Sequence, residues 1–318
     1  MNDYTYREVM QYISENDVKF IRLAFCDIFG KQKNISIMPR ELSRAFEEGI
    51  SFDASAVRGF MNIEMSDLLL FPDPTTLSIL PWRPSQGRVV RFFCDIKYPD
   101  GTPFEGDGRQ VLRQAQEDMR RLGYSVKIGT ECEFYLLRQD ENGLPTKIPH
   151  DNASYLDIAP LDKGENVRRQ ICLTLEEMNM RPEASHHEQG PGQNEIDFAY
   201  DSAVTAADNM ITFRSVVKTL AASNGLYASF MPKLFRDHAG NGLHINLSLF
   251  QHGENLFCNP NESHSPVVES FIMGILTRCY EISAFLNPLV NSYDRFGNYE
   301  APRYITWSHQ NRSQLIRI

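Results

Sequence analysis

No two cysteines in this 318-residue chain fall in a C-x-x-C pair. The six present are Cys26, Cys94, Cys132, Cys172, Cys258 and Cys279, mostly in apolar runs such as Arg-Phe-Phe-Cys. That pattern speaks against a disulfide or zinc framework and reads as reduced, mostly buried thiols of a cytosolic protein. The N-terminal residues lack the basic and apolar regions of a signal peptide, and none is expected. No apolar stretch approaches the roughly 20 residues that a membrane span needs. Basic residues are in deficit: 32 Lys and Arg stand against 41 Asp and Glu, a formal net charge of −9. This balance excludes broad binding to nucleic acid or an anionic membrane, while leaving room for a local basic pocket. Repeats and low-complexity tracts are also absent. What remains is the profile of a soluble globular protein, 42% hydrophobic and 23% charged. The length suits two domains and a sizeable core.

Along the chain, residues 16–28 are rich in β-branched and aromatic side chains and read as a strand, with Phe29-Gly30-Lys31 as the turn and residues 32–38 as its hairpin partner. Residues 39–46 read as a helix with Pro39 near its start. Short strands follow to about Asp95. Tyr98-Pro99-Asp100-Gly101-Thr102-Pro103 is strong turn chemistry and marks a boundary between a domain at 1–100 and another at 104–318. Beyond it, helices are expected at 109–122, 164–179, 202–223 and 265–286. Strands are expected at 125–138, in the stretch up to about 200, at 226–232 and 242–251, and in the runs 304–307 and 315–318. The class is α+β: a small β-rich domain, then a larger one of antiparallel strands backed by helices.

Four constellations carry chemistry. In Gly129-Thr130-Glu131-Cys132-Glu133-Phe134, the two glutamates are two apart on a strand and point to one face. Two carboxylates on an otherwise apolar strand repel and are costly to desolvate, which a divalent cation relieves; a solvated edge strand would carry them equally well. In His186-His187-Glu188-Gln189-Gly190-Pro191-Gly192-Gln193-Asn194-Glu195, a Gly-Pro-Gly turn joins two arms that each carry a Glu. Four carboxylates from two segments can hold two hard cations such as Mg²⁺ or Mn²⁺. After the Gly-rich stretch at Gly240-Asn241-Gly242, the residues His244, Asn246 and Ser248 alternate on one strand face. They suit a metal ligand and nucleotide contacts, or simply a polar outer face. Arg295, Arg312 and Arg317 are guanidinium groups able to take phosphate or carboxylate, or to pair with the protein's own acids.

In order along the chain, these motifs resemble those of the glutamine synthetase family, type I-like, from about residue 15 to the last. The others are Ser51-Phe52-Asp53-Ala54-Ser55-Ala56-Val57-Arg58-Gly59-Phe60, Pro72-Asp73-Pro74, Met231-Pro232-Lys233 and Tyr299-Glu300-Ala301-Pro302, and the chain closes on Asn311-Arg312-Ser313 and Ile316-Arg317-Ile318. The resemblance implies an N-terminal β-grasp domain and a catalytic α+β domain. It implies rings of subunits, commonly dodecamers, with each active site between neighbours. Glu133, Glu188 and Glu195 resemble the ligands of a first metal, and Glu131 and His244 two of the three ligands of a second. Asp53 matches an aspartate that binds and deprotonates ammonium from the adjacent subunit, and Glu300 the glutamate guarding the intermediate. Tyr155 matches a tyrosine near the ammonium pocket. Arg295 and Gly240 fall on the substrate side, Arg312 on the transferring phosphate, and Arg317, Ser248 and Tyr200 on the nucleotide.

The implied reaction is ATP-dependent ligation of ammonia to glutamate through a γ-glutamyl phosphate, with two Mg²⁺ or Mn²⁺ ions per site, in the cytoplasm. Some residues depart from the family pattern. Ala54 and Ala56 stand where Gly and Ser are usual, Ala239 where an Asn contacts glutamate, and Asn241 for a Ser. They leave open a ligase for another amine, of the γ-glutamyl-polyamine type, and a non-catalytic binding paralogue. The chain stops at Ile318, inside the arginine motif. The resemblance implies on the order of 100 further residues, carrying the last metal glutamate and another substrate arginine, so a C-terminally truncated member is expected.

Overall fold

The computed structural model describes residues 5–83, 86–258 and 264–318. Two compact units divide the chain: residues 1–122 with 174–180 and 203–215, and residues 123–173 with 181–202 and 216–318. The α+β class expected from the sequence is found.

The first unit runs α1 (Tyr6–Glu15), β1 (Val18–Cys26), β2 (Gln32–Ile37), α2 (Leu42–Glu47), β3 (Ile50–Asp53), β4 (Asp67–Pro72), β5 (Ser78–Ile79), β6 (Arg88–Lys97) and α3 (Gly108–Arg121). Helix α1 lies outside the expected elements. A capping box starts it: the Thr5 hydroxyl accepts from the Glu8 N–H, and the Glu8 carboxylate reaches back to the Thr5 N–H at 2.8 Å. The strand order is β2-β1-β6-β4-β3, with β5 also on β6. The β1–β6 pair is parallel and its neighbours are antiparallel. Alternation along β1 and β6 sends Ile21, Leu23, Phe92 and Ile96 into a core closed by Val9, Leu42, Leu68 and Leu70.

This unit also buries charge. Arg109 on α3 donates to Asp208 (3.0 and 2.8 Å), Asp95 (2.8 Å) and Asp73 (2.8 Å). Arg113, one turn on, takes Asp95 at 2.7 Å and Asp73 at 2.5 Å. These pairs draw the Arg109 guanidinium above its ordinary value against the opposing effect of burial.

The second unit is organised by one long strand, β7 (Ser125–Gln139). Around it in sequence come β8 (Pro145–Pro149), α4 (Glu165–Glu177), β9 (Pro182–His187), β10 (Gln193–Phe198), β11 (Asp201–Ser202), α5 (Ala203–Ser223), β12 (Leu226–Ser229), β13 (Leu243–Gln251) and β14 (Glu254–Asn255). Helices α4 and α5 divide their residues between the units. The sheet order is β14-β13-β7-β10-β9, and β8, β11 and β12 also pair with β7. The helix expected over 265–286 is two, α6 (Pro266–Thr277) and α7 (Cys279–Leu286). The interruption falls at Arg278, whose φ of −95° and ψ of 2° leave the helical region. Then follow α8 (Val290–Tyr293) and the parallel pair β15 (Trp307–Ser308) and β16 (Ile316–Arg317). Among the described residues no helix is long and apolar enough to cross a membrane.

Candidate active site

Cys132 and Phe134 are buried on one face of β7, so Glu131 and Glu133 share the other. Antiparallel pairing extends that face. On one side β10 sets Glu195 opposite Glu133 and Asp197 opposite Glu131. On the other, β13 sets His244 opposite Glu131. Beyond β10, β9 sets His186 opposite Glu195. Two cross-strand rows result: His244, Glu131 and Asp197, then Glu133, Glu195 and His186. Glu188 joins them just past β9. Its N–H donates to the Gln193 carbonyl at 2.8 Å, and Gln193 N–H closes the turn on Gly190 at 2.8 Å.

The two ends of this face differ in their partners. Glu131 accepts from Asn246 Nδ2 at 2.8 Å and meets His244 Nδ1 at 2.8 Å. The imidazole contact is the main reason its carboxyl is pulled down to about 2. One oxygen of Glu133 accepts from Gln193 Nε2 at 2.7 Å and from the Gly242 N–H at 2.9 Å. Burial, joined by repulsion from Glu188, still raises Glu133. Glu195 is raised too, by burial first and then by Glu133 and Asp197. Asp197 is raised by burial and by Glu131. Burial and acidic neighbours thus act together against ionisation of Glu133, Glu195 and Asp197.

The donor set fits a hard divalent cation. Glu195 Oε1 and Asp197 Oδ1 are buried without a hydrogen-bond partner, as is His186 Nδ1, a costly state that a cation relieves. Glu131, Glu195 and His244 bring ligand atoms within 4.8 Å of one another, and so do His186, Glu188 and Glu195. Carboxylate oxygens with an occasional imidazole suit Mg²⁺ or Mn²⁺.

The Gly-rich loop leans on this face. A Cβ at Gly240 would stand 2.4 Å from the Pro232 carbonyl and 2.8 Å from Arg295 Cγ; one at Gly242 would stand 2.7 Å from Glu133 Oε1. Glycine is required there by close approach. Asn241, at the position that departs from the family pattern, is a buried strut. Its amide donates to the Ser229 and Met231 carbonyls at 3.1 and 3.0 Å. Lys233 Nζ holds the His238 carbonyl at 2.6 Å, and the Tyr135 hydroxyl holds that of Ala239 at 2.7 Å.

The structure brings most of the residues singled out from sequence onto or beside this face. Arg295 has a buried, unpartnered Nε and is charge-coupled to Glu133. Tyr155 sets its ring edge-on to His186, centroids 5.6 Å apart. Glu300 accepts from Gln189 Nε2 at 3.4 Å, beside Glu188. Arg317 is exposed and lowers the Glu131 carboxyl slightly. Ser248 lies four residues along β13 from His244, opposite Lys127, whose ammonium stands 5.5 Å from the ring of Tyr200. Arg312 is exposed in the β15–β16 connection. Asp53 belongs to the first unit, at the end of β3, where it accepts from Ser55 N–H and Oγ at 2.9 and 2.6 Å. Those bonds hold its exposed carboxyl below the usual range.

Sequence reasoning passed over Asp197, Gln193 and His186 as individual site members, and read Asn246 only as part of a polar strand face, not as the partner of Glu131. Asp197 had a usable signal, since it follows Glu195 by two, the same alternation that links Glu131 and Glu133.

Comparison with known proteins agrees with the motif order. The family model "Glutamine synthetase, beta-Grasp domain" matches residues 17–99, and "Glutamine synthetase, catalytic domain" matches residues 105–318. A glutamine synthetase of Clostridium saccharobutylicum is 50% identical over 321 residues, covering 100% of this chain and 72% of the relative. One from Methanosarcina mazei is 46% identical, covering 99% of this chain and 71% of the relative. Among solved structures, a Plasmodium falciparum glutamine synthetase superposes with a TM-score of 0.90 at 26% identity, covering 100% of this chain and 68% of that one. A GmaS/ADP complex superposes with a TM-score of 0.88 at 29% identity, covering 97% and 73%.

Proposed function

Since the chain belongs to the glutamine synthetase family, we propose that its carboxylate face holds the cations, and its arginines the anionic groups, of a glutamate–ammonia ligase. The reaction is the ATP-dependent synthesis of glutamine through a γ-glutamyl phosphate. The family uses ATP and a divalent metal ion. The observation that carries the site is the crowding of Glu131, Glu133, Glu188, Glu195 and Asp197 on one sheet face with buried carboxylate oxygens left unpartnered.

Two Mg²⁺ or Mn²⁺ ions fit this reading, held by Glu133, Glu188 and Glu195 and by Glu131 and His244. When bound, they neutralise charge on the transferring phosphoryl group. The residues of the chain do the rest. Arg295, beside Gly240, takes a carboxylate of glutamate. Arg312 and Arg317 face the phosphates, where planar guanidinium groups offset the charge that spreads in the transition state. Ser248 and Tyr200 contact the nucleoside. Asp53 takes a proton from ammonium, Glu300 keeps water from the acyl phosphate, and Tyr155 lines the ammonium side. We place the domains at 1–100 and 104–318, and the assembly as a cytoplasmic dodecamer in which Asp53 of one subunit serves the site of the next. The names of the curated relatives do not favour a different amine or a non-catalytic paralogue.

Phosphate release from ATP tests the reading. It is expected only when glutamate, ammonium and Mg²⁺ or Mn²⁺ are present together, and to fall to background when any one is withheld. Release independent of glutamate, or supported by polyamines but not by ammonium, overturns it.

A further inference from the structure

Behind the β9–β10 hairpin lies a second polar cluster that the reaction does not touch. Asp151, Asp162, Arg168, His187 and Asn194 are all buried. Asp151, Asp162 and His187 bring ligand atoms within 4.8 Å of one another, yet the cluster has no vacancy for a cation. Asp151 Oδ1 already accepts from His187 Nε2 at 2.9 Å, from the Gly192 N–H at 2.9 Å and from the Ala153 N–H at 3.3 Å. Its Oδ2 accepts from the Lys163 N–H at 3.0 Å. Both Asp162 oxygens are taken by Arg168, at 3.2 and 2.5 Å.

The cluster grips the hairpin at three points. His187 Nδ1 faces the Glu188 carbonyl at 2.7 Å. Asp151 holds the N–H of Gly192, inside the turn. Arg168 donates to Asn194 Oδ1 at 2.6 Å, and Asn194 Nδ2 returns to the Gly192 carbonyl at 2.9 Å. Two of the tied residues, His187 and Asn194, are the neighbours in sequence of Glu188 and Glu195. Gly192 also has φ +70°, and a Cβ there would stand 2.8 Å from the Leu136 carbonyl on β7, so the turn is pressed against the strand that carries Glu131 and Glu133.

We propose that Asp151, acting through His187 and Gly192 and backed by the Asp162–Arg168 pair, is a positioning residue that fixes the spacing of the Glu188 and Glu195 carboxylates and so sets the affinity for divalent cation. It rests on the reading of those glutamates as metal ligands given above. Outer-shell partners of this kind change metal affinity by about 10- to 100-fold when lost.

The test uses the full chain and Mn²⁺ alone as the probe, with free Mn²⁺ read by electron paramagnetic resonance and the dependence of phosphate release on Mn²⁺ measured beside it. Asp151→Asn is expected to raise the Mn²⁺ dissociation constant about 10- to 100-fold, and the KM for Mn²⁺ with it, with kcat at saturating Mn²⁺ largely kept. His187→Gln keeps a donor for Asp151 but loses the one facing Glu188. It is expected to shift affinity in the same direction by less, and it carries the test where Asp151→Asn does not fold. Arg113→Gln, which loses ion pairs to Asp73 and Asp95 in the first unit, supplies a destabilised protein with normal Mn²⁺ affinity. Native affinity in both cluster variants overturns the proposal. So does a loss no larger than that of Arg113→Gln at an equal drop in melting temperature. Absence of Mn²⁺ binding by the unaltered chain overturns the metal reading itself and this inference with it.

Discussion

The first unit packs the half-buried Arg109 and Arg113 against Asp73, Asp95 and the buried Asp208, and each of those carboxylates has an arginine. The second gathers Glu131, Glu133, Glu188, Glu195 and Asp197, with His244 meeting one of them and two carboxylate oxygens buried without partners. The same raw material, buried acid, serves opposite ends. Where the chain provides its own cations the cluster is a finished piece of structure. Where it withholds them, the deficit suits the cation site proposed above, in which the missing charge would arrive from solution.

The contrast can be broken by removing charge from each side. Arg109→Met strands buried Asp208, leaving Asp73 and Asp95 to Arg113 alone, and is expected to cost about 3–5 kcal/mol, the penalty for breaking a buried ionic network from one side. Denaturant unfolding of the metal-free protein measures it, and a loss below about 1 kcal/mol would mean that the first cluster is no more load-sharing than a surface pair. Glu195→Gln should act with the opposite sign. It relieves repulsion by Glu133 and Asp197, so the metal-free protein at pH 8 gains on the order of 1 kcal/mol, while the rise in melting temperature on adding Mn²⁺ is lost. A destabilised, still metal-responsive variant would sink the idea that the second cluster is short of charge.

The smallest effect is in the pH dependence. Folding raises the pKa of Glu133, Glu195 and Asp197. Glu131, Glu188, His186, His244 and Arg295 are the charged and titratable neighbours. A raised folded-state value means stability that is complete below the unfolded values, near about 4, and lost as pH climbs through the raised ones. The metal-free melting temperature should therefore decline from pH 5 toward pH 9, and Mn²⁺ should restore more at pH 8 than at pH 5. Equal increments at the two pH values would count against it.

Much of this was legible in the chain. Glu131 and Glu133 could be placed on one face because strand alternation is a local rule, and the Gly-Pro-Gly turn announced the hairpin that carries Glu188 and Glu195. Asp197 was equally legible and was passed over. Other features had no local signal. The parallel pairing of β1 with β6 joins residues about 70 apart, Ile21 with Val90 for instance. Asp151 meets His187 across 36 residues, and nothing in the periodicity of either segment points to the other. The break between α6 and α7 falls at a single residue, Arg278, with no glycine or proline beside it to mark the place.

Strand β7 gives the site an unusual kind of fragility. Five other strands take their register from it, and the carboxylates align only because β10 and β13 are both read off the same row of residues. A substitution in β7 alters one side chain. The insertion or deletion of a single residue there turns every later side chain to the opposite face, parting Glu131 from Glu133 or both from their partners. For its descendants the strand is thus a reading frame, tolerant of changed letters and intolerant of changed length, while loops such as that between β7 and β8 are free to grow.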